Sequence, residues 1–428
     1  MMTSKKNARN EAYVWLWLPD EVKPVVAGKL TFQGGLLVFN YGRSYLERKN
    51  AIAIYDKELP LRSGILEPRN GLHMPSCIRD ASPDAWGRRI IINRLLGLKS
   101  PQADTSELDE LTYLLESGSD RIGALDFQYS ATEYQSRESK NTSLEELQEV
   151  VERVEKGLPL NSHLENALNH GTSIGGARPK VFIDHENVKY VAKFSSSSDI
   201  YNVVKTEYIA MRLAKLAGLN VANVSLTKAA HKDVLLVERF DRLKTRSGWS
   251  RRIMISALTM LGLDEMLARY ASYQELTHII RKDFANPQST LKELFGRIVF
   301  NILSGNTDDH ARNHAAFWDG AKLSLTPAYD ICPQLRVGNE ASQAMLISDG
   351  LRKSQLSTCL QAAHNFMLNR EEATALIEQQ ITCIRENWQS VCDAAELSEV
   401  DRNLMWQRQF LNPYAFEDWQ SIGFGCNE

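Results

Sequence analysis

Apolar positions along this chain follow two periods. Near the start they fall in short aromatic and β-branched runs, Tyr13–Leu18, Val25–Phe32, Gly35–Tyr41 and Ala51–Tyr55, separated by turn residues. Such runs predict strands. Asp84–Leu96 then predicts a helix, and Ser143-x-x-Glu146 opens another that stops at Gly157. Val181–Ile183, Tyr190–Phe194 and Val234–Val237 read as strands, and a helix from about Lys205 to Ala217 ends at Gly218. Leu291, Leu294, Phe295, Ile298 and Ile302 share one face of a helix over Leu291–Ser304. Thr290 with Glu293 gives it a capping box, and Gly305 gives it a stop. His314–Trp318 and Lys322–Leu325 flank Asp319-Gly320, a strong hairpin signal. Asn369 and Glu372 cap a late helix whose Ile377, Ile381, Ile384 and Trp388 recur at helical spacing and face inward. The expected layout is a β-rich part over 1–125, a mixed part over 126–241 and a mostly helical part over 242–428.

The polar residues between these elements carry the chemistry. Asn306-Thr307-Asp308-Asp309-His310-Ala311-Arg312-Asn313, followed after the hairpin by Tyr329-Asp330, sets an Asp, an Asn five residues on and a second Asp. A protein kinase positions its catalytic base and two magnesium ligands with that spacing. Asp308 would be the base, Asn313 and Asp330 the metal ligands, and Asp309 a residue that holds the loop. An isolated Asp-x4-Asn is usually a plain polar loop, but the helix before it and the hairpin after it favour the chemical reading. His310 and His314, four apart, would suit zinc on a helix, with Asp308 or Asp309 as third ligand. Gly305-Asn306 ends the helix before them.

Upstream, Gly171-Thr172-Ser173-Ile174-Gly175-Gly176-Ala177-Arg178-Pro179-Lys180 is a Gly-rich turn. Glycines let backbone N–H groups approach phosphates closely, although the Walker A spacing is absent. Lys193, near the end of a strand, stands where a lysine meets the α- and β-phosphates; a solvated strand-end charge is the alternative. Glu207, expected in the first turn of its helix, would pair with Lys193 or simply favour the helix dipole. Glu238, Arg239 and Phe240 fall where an apolar strand runs into a charged segment, the place of the hinge in a two-lobed kinase.

In combination these segments resemble the HipA family, serine/threonine-kinase toxins of bacterial type II toxin–antitoxin systems. The resemblance lies in Ser173-Ile174-Gly175-Gly176-Ala177 through Lys180, Val237–Arg242, Thr307–Asn313 and Leu325-Thr326-Pro327-Ala328-Tyr329-Asp330, and in Ser82-Pro83-Asp84-Ala85-Trp86-Gly87-Arg88-Arg89. It covers roughly Ala12 to Arg385, with a HipA-like C-terminal domain over about 168–390. It implies an α+β, protein-kinase-like two-lobed fold and phosphorylation of a protein serine or threonine with ATP and Mg2+. Asp308 would be catalytic. Gly175, Gly176, Ala177, Arg178, Pro179, Lys180, Lys193, Glu238, Arg239, Phe240, His310, Ala311, Arg312, Asn313, Tyr329 and Asp330 would line the nucleotide, with Asn313 and Asp330 on the metal. Ser173 matches the serine that such kinases phosphorylate on themselves, which ejects the loop. A helix-turn-helix antitoxin of the HipB type is the implied partner, with DNA reached only through it, and an aminoacyl-tRNA synthetase the implied kind of substrate. The family's usual Ala-Gln-x-Lys is here Ala177-Arg178-Pro179-Lys180, and Pro179 removes a donor and stiffens the loop.

Composition changes this picture little. A chain of 428 residues suggests two to three domains. A net charge of −3 gives no nucleic-acid signature. Six cysteines without a CxxC pair indicate neither a disulfide framework nor a zinc ribbon. The N-terminus lacks the apolar core of a signal peptide and no run approaches a membrane span, so a cytoplasmic protein is expected. Two other functional classes fit the same fold: a kinase-like module that acts as co-repressor by bridging antitoxin dimers, and a small-molecule phosphotransferase. The full set of Lys193, Asp308, Asn313 and Asp330 favours an active enzyme over the first, and the Asp84–Arg89 segment disfavours the second.

Overall fold

The computed structural model describes residues 10–83, 85–96, 104, 106, 108–137, 142–156, 158, 178–196, 199–336 and 338–419. Asp84, Gly157, Ser173 and the glycines of the Gly-rich turn lie outside the described residues. The chain divides into two compact units, neither contiguous in sequence. One comprises the chain to Ile200 with Ser225–Gly262 and Ala315–Leu323. The other comprises Tyr201–Val224, Leu263–His314 and the chain from Ser324.

The first unit begins with an antiparallel sheet of β1 (Glu11–Leu16), β2 (Val25–Gln33), β3 (Leu36–Tyr41) and β4 (Leu125–Gln128), in the order β3-β2-β1-β4. Alternation sets its inner face, with Ala12, Val14 and Leu16 fully buried. Ala51–Tyr55 forms no strand; Tyr55 makes only an isolated bridge to Leu59. β4 runs across the boundary expected at 125 and belongs wholly to this sheet.

A second sheet holds β5 (Lys180–His185), β6 (Val188–Phe194), β7 (Val224–Ala229) and β8 (Lys232–Glu238), in the order β5-β6-β8-β7. The helices Ala85–Leu96 and Leu144–Glu155 pack on one face of it. Trp86, Ile90, Leu147, Val150 and Val151 meet Val181, Ala192, Phe194, Val234 and Leu236 there. The expected Ser143–Glu146 capping box opens the second of these helices. Two small pieces follow: the hairpin β9 (Arg242–Thr245) with β10 (Gly248–Arg251), and a sheet in the order β11-β12-β13. In that sheet β11 is Ile253–Ser256, β12 is Ala315–Trp318 and β13 is Leu323–Leu325. Residues 242–262 and 315–323 therefore join the first unit, although the sequence reading assigned them to the helical part.

The second unit is mostly helical. Its centre is the helix Pro287–Ser304, in which Leu291, Leu294, Phe295, Ile298 and Ile302 are all buried. It starts one turn earlier than expected because Pro287 at the first position sets the start. Thr290 instead bonds back to Asn286, and Glu293 pairs with Arg297, so the expected capping box does not form. The helix Val203–Leu216 is capped by Asn202, which puts Glu207 in its second turn and buries it, so a dipole role at the helix start no longer applies. It packs against Arg370–Ala394, whose Asn369–Glu372 capping box and buried Ile377, Ile381, Ile384 and Trp388 match the reading from sequence. Among the described residues no helix is long and apolar enough to cross a membrane.

Candidate functional site

The Pro287–Ser304 helix ends at Gly305, which has φ 71°. A Cβ there would lie 2.7 Å from the Gln409 carbonyl oxygen, so both conformation and space require glycine. The chain then turns into the polar loop. His310 N–H donates to the Asp308 carbonyl at 2.8 Å, and Asn313 N–H to the His310 carbonyl at 2.8 Å. Asn313 Nδ2 donates to the Asp308 carbonyl at 3.2 Å. That bond fixes the side-chain amide and leaves Oδ1 as its remaining acceptor.

β12 and β13, joined through Asp319-Gly320, carry the chain back to the loop. Tyr329 donates its hydroxyl to the Arg312 carbonyl at 2.6 Å. Asp330 follows with φ 60°, a left-handed conformation uncommon outside glycine. Its carboxylate is close enough to Asp308 to act on its ionisation. Burial pushes the Asp308 carboxyl above its ordinary value, His310 pulls it down, and the Asp330 and Asp309 carboxylates push it further up. The structure thus brings Asp308, Asn313 and Asp330 together at one loop.

Asp309 turns the other way. It is buried and accepts from the Tyr273 hydroxyl, from Asn301 Nδ2 at 2.7 Å and from His314 Nε2 at 3.0 Å. Burial alone would raise its carboxyl, but His314 and these hydrogen bonds outweigh it and hold the group below the ordinary carboxylate value. Asn306 donates to Asn301 Oδ1 at 3.0 Å and extends the network. Sequence reasoning missed Tyr273, Asn301 and His314 as parts of this support. Asn301 offered a signal, since a polar residue amid the apolar positions of a buried helix needs a partner.

His310 and His314 lie past the helix end and share no helical face. Among the described residues no group of three or more His, Cys, Asp or Glu is arranged to hold a metal ion. His310 Nδ1 is buried without a hydrogen-bond partner. The Arg312 guanidinium pairs with Glu265, and Ala311 is buried.

In the first unit, Lys180 opens β5 and stands directly opposite Lys193 of β6. Their neighbours Val181 and Ala192 face the helices, so the two lysines share the other face. Arg178 pairs with Asp199 at 2.7 Å, and the Pro179 carbonyl accepts from Phe194 N–H. At the end of β8, Arg239 is buried with its guanidinium bound to Asp120 and Asp241, and its N–H donates to the Lys189 carbonyl. Both kinds of Arg239 donor are thus engaged within the protein. Ser173, Gly175, Gly176 and Ala177 lie outside the described residues.

The family profile for the HipA-like C-terminal domain matches residues 172–388, and that for the HipA N-terminal domain matches 21–128. The chain belongs to the HipA family. It is 28% identical over 184 residues to the serine/threonine-protein kinase toxin HipA of Shewanella oneidensis. That match takes in 37% of this chain and only 42% of the toxin. Y4mE of Sinorhizobium fredii, which carries a provisional kinase name, is 26% identical over 347 residues, 74% of this chain and 79% of Y4mE. Among solved structures, a HipA chain in the Shewanella oneidensis toxin–antitoxin complex with HipB and operator DNA matches with a TM-score of 0.66 at 18% identity. The match covers 95% of this chain and 97% of that one. The shared HipA fold bears out the α+β, kinase-like architecture expected from the sequence.

Proposed function

We propose that this HipA-family chain is an ATP- and Mg2+-dependent serine/threonine protein kinase and the toxin of a type II toxin–antitoxin pair. One observation carries the reading: Asp308, Asn313 and Asp330 converge on one loop, tied by the Asn313–Asp308 and Tyr329–Arg312 hydrogen bonds. Asp308 accepts the proton of the substrate hydroxyl, and its burial beside a second carboxylate raises its affinity for that proton. The donor set suits magnesium: a carboxylate and an oriented amide oxygen are hard ligands of the number that ion takes beside substrate phosphates. Bound there, Mg2+ would neutralise charge on the phosphates. On β5 and β6, Lys180 and Lys193 stand directly opposite each other, where both could meet a polyphosphate. Glu238 and Phe240 offer backbone groups to adenine.

The partner fitting this reading is a HipB-like helix-turn-helix antitoxin, through which the chain would reach DNA; the Shewanella complex that matches its fold holds HipA together with HipB and operator DNA. A translation component such as an aminoacyl-tRNA synthetase is the proposed substrate, and Ser173 the proposed site of self-inactivation. Phosphoproteomics after brief induction, against an Asp308→Ala control, tests the whole reading. A serine or threonine phosphorylated only with the wild-type chain is the expected result. Identical phosphoproteomes would overturn it.

A further inference from the structure

Between the helix Glu110–Glu116 and β4, a short loop of the N-terminal sheet spends its polar atoms on the end of β8. Asp120 Oδ1 accepts from Arg239 Nη1 at 2.7 Å and from Arg242 Nη2 at 2.8 Å. The Arg121 carbonyl accepts from Nη2 of both arginines. Gly123 donates its N–H to Asp241 Oδ2 at 2.8 Å, and its carbonyl accepts from Arg242 Nη1 at 2.9 Å. The Ser119 carbonyl accepts from Arg251 Nη1 at 2.8 Å. Arg239 also lies over the Phe182 ring, 3.8 Å from its centroid. Two carboxylates, Asp120 and Asp241, thus face two buried guanidiniums, Arg239 and Arg242, and every group is bonded more than once.

This is more than a sheet junction needs. Arg239 is gripped at its guanidinium by the loop and at its N–H by Lys189. Glu238 and Phe240, on either side of it, have their path set by that grip. Charged hydrogen bonds in a site shielded from water are stiff and intolerant of a missing partner. Without Asp120, Arg239 and Arg242 would repel one another across a single remaining carboxylate.

We infer that Asp120 is a positioning residue for nucleotide binding. Through Arg239 and Arg242 it holds the Glu238–Phe240 backbone in the path that receives adenine, which gives the N-terminal sheet a part in nucleotide affinity. The inference rests on the reading of Glu238–Phe240 given above. Asp120 itself touches no nucleotide.

The test is a dissociation constant for ADP with Mg2+, measured by calorimetry on the full chain. Because Asp120→Asn alone strands a buried charge, it is paired with the charge-balanced double variant Asp120→Asn, Arg242→Gln. Tyr41→Phe serves as control, since its hydroxyl bonds the Leu59 carbonyl and the Ile54 N–H rather than the 119–123 loop. In the double variant ADP should bind about tenfold more weakly, within the range that packed networks transmit. Amide hydrogen exchange at Glu238–Phe240 should rise, and Asp120→Glu should recover part of the affinity. Wild-type affinity in the double variant would overturn the inference and leave the kinase reading standing. An equal loss in Tyr41→Phe would overturn it in favour of general destabilisation. A wild-type chain that binds no nucleotide would remove both readings.

Discussion

The Tyr329 hydroxyl reaches the Arg312 carbonyl at 2.6 Å and so fastens the segment bearing Asp330 to the loop bearing Asp308 and Asn313. The two residues are 17 apart in sequence, with a hairpin between them. Tyr329→Phe removes this tie. The expected outcome is a stability loss of about 1 kcal/mol and a fall in phosphotransfer rate of roughly tenfold, since small misplacements of reacting groups are costly. Denaturant melts and steady-state kinetics measure the two. An unchanged rate would show that the loop and Asp330 hold their geometry without it.

Adjacent aspartates should separate function from fold. Asp308→Asn should leave thermal unfolding nearly unmoved and lower phosphotransfer by roughly 100- to 10,000-fold. Asp309→Asn strips a buried acceptor from Tyr273, Asn301 and His314 and should cost about 1–3 kcal/mol of stability. An inactive but stable Asp309→Asn beside an active Asp308→Asn would put the register of the loop in error.

Gly305→Ala should destabilise the second unit by about 1–3 kcal/mol, because it adds left-handed strain to a clash with the Gln409 backbone. Calorimetric melting reads this directly. A melting temperature equal to wild type would mean that the 405–411 segment moves aside freely.

Acid should weaken the first unit through Asp126. Its carboxylate is buried and accepts from Arg121, Arg137, Gln128 and Tyr134. Burial opposes its ionisation, but the two arginines outweigh that and lower its ionisation point. A carboxyl lowered in the folded state contributes stability above the unfolded value near about 4, and that contribution is lost as pH falls through the folded value. Stability measured by urea melts should therefore drop below about pH 4, and the drop should be shallower in Asp126→Asn. Equal slopes would assign acid sensitivity to other carboxylates.

Incubation with ATP should add a phosphate at Ser173, with Thr172 the lesser acceptor. The modification puts negative charge where ATP phosphates would sit, so nucleotide affinity should fall. Intact mass and peptide mapping decide it. Modification of a Ser173→Ala variant to the wild-type extent would place the site elsewhere, and an unmodified wild type that still phosphorylates a substrate would exclude self-inactivation.

Much of this was legible because it is local. Ser143 with Glu146, and Asn369 with Glu372, signal helix starts within four residues of chain, and both capping boxes form. Asp308, Asn313 and the hairpin before Asp330 are likewise set by short spacings. Where two local signals competed, the weaker was read at Thr290, and Pro287 won because its fixed backbone starts the helix a turn earlier. Ala51–Tyr55 has the composition of a strand but no ladder partner, and partners are not written in composition. The support beneath the loop was illegible for the same reason: Tyr273 meets Asp309 across 36 residues. Asp120 meets Arg239 across 119.

The interleaving of the two units has a consequence for synthesis. β12, the middle strand of its sheet, is made of residues 315–318, and the Trp318 indole bonds the Ala53 carbonyl at 2.9 Å. A nascent chain on the ribosome holds most of the first unit long before that strand emerges, and cannot close it. Asp330 emerges only twelve residues after Trp318. Completion of the first unit and arrival of the last candidate metal ligand are thus nearly simultaneous as the chain is made.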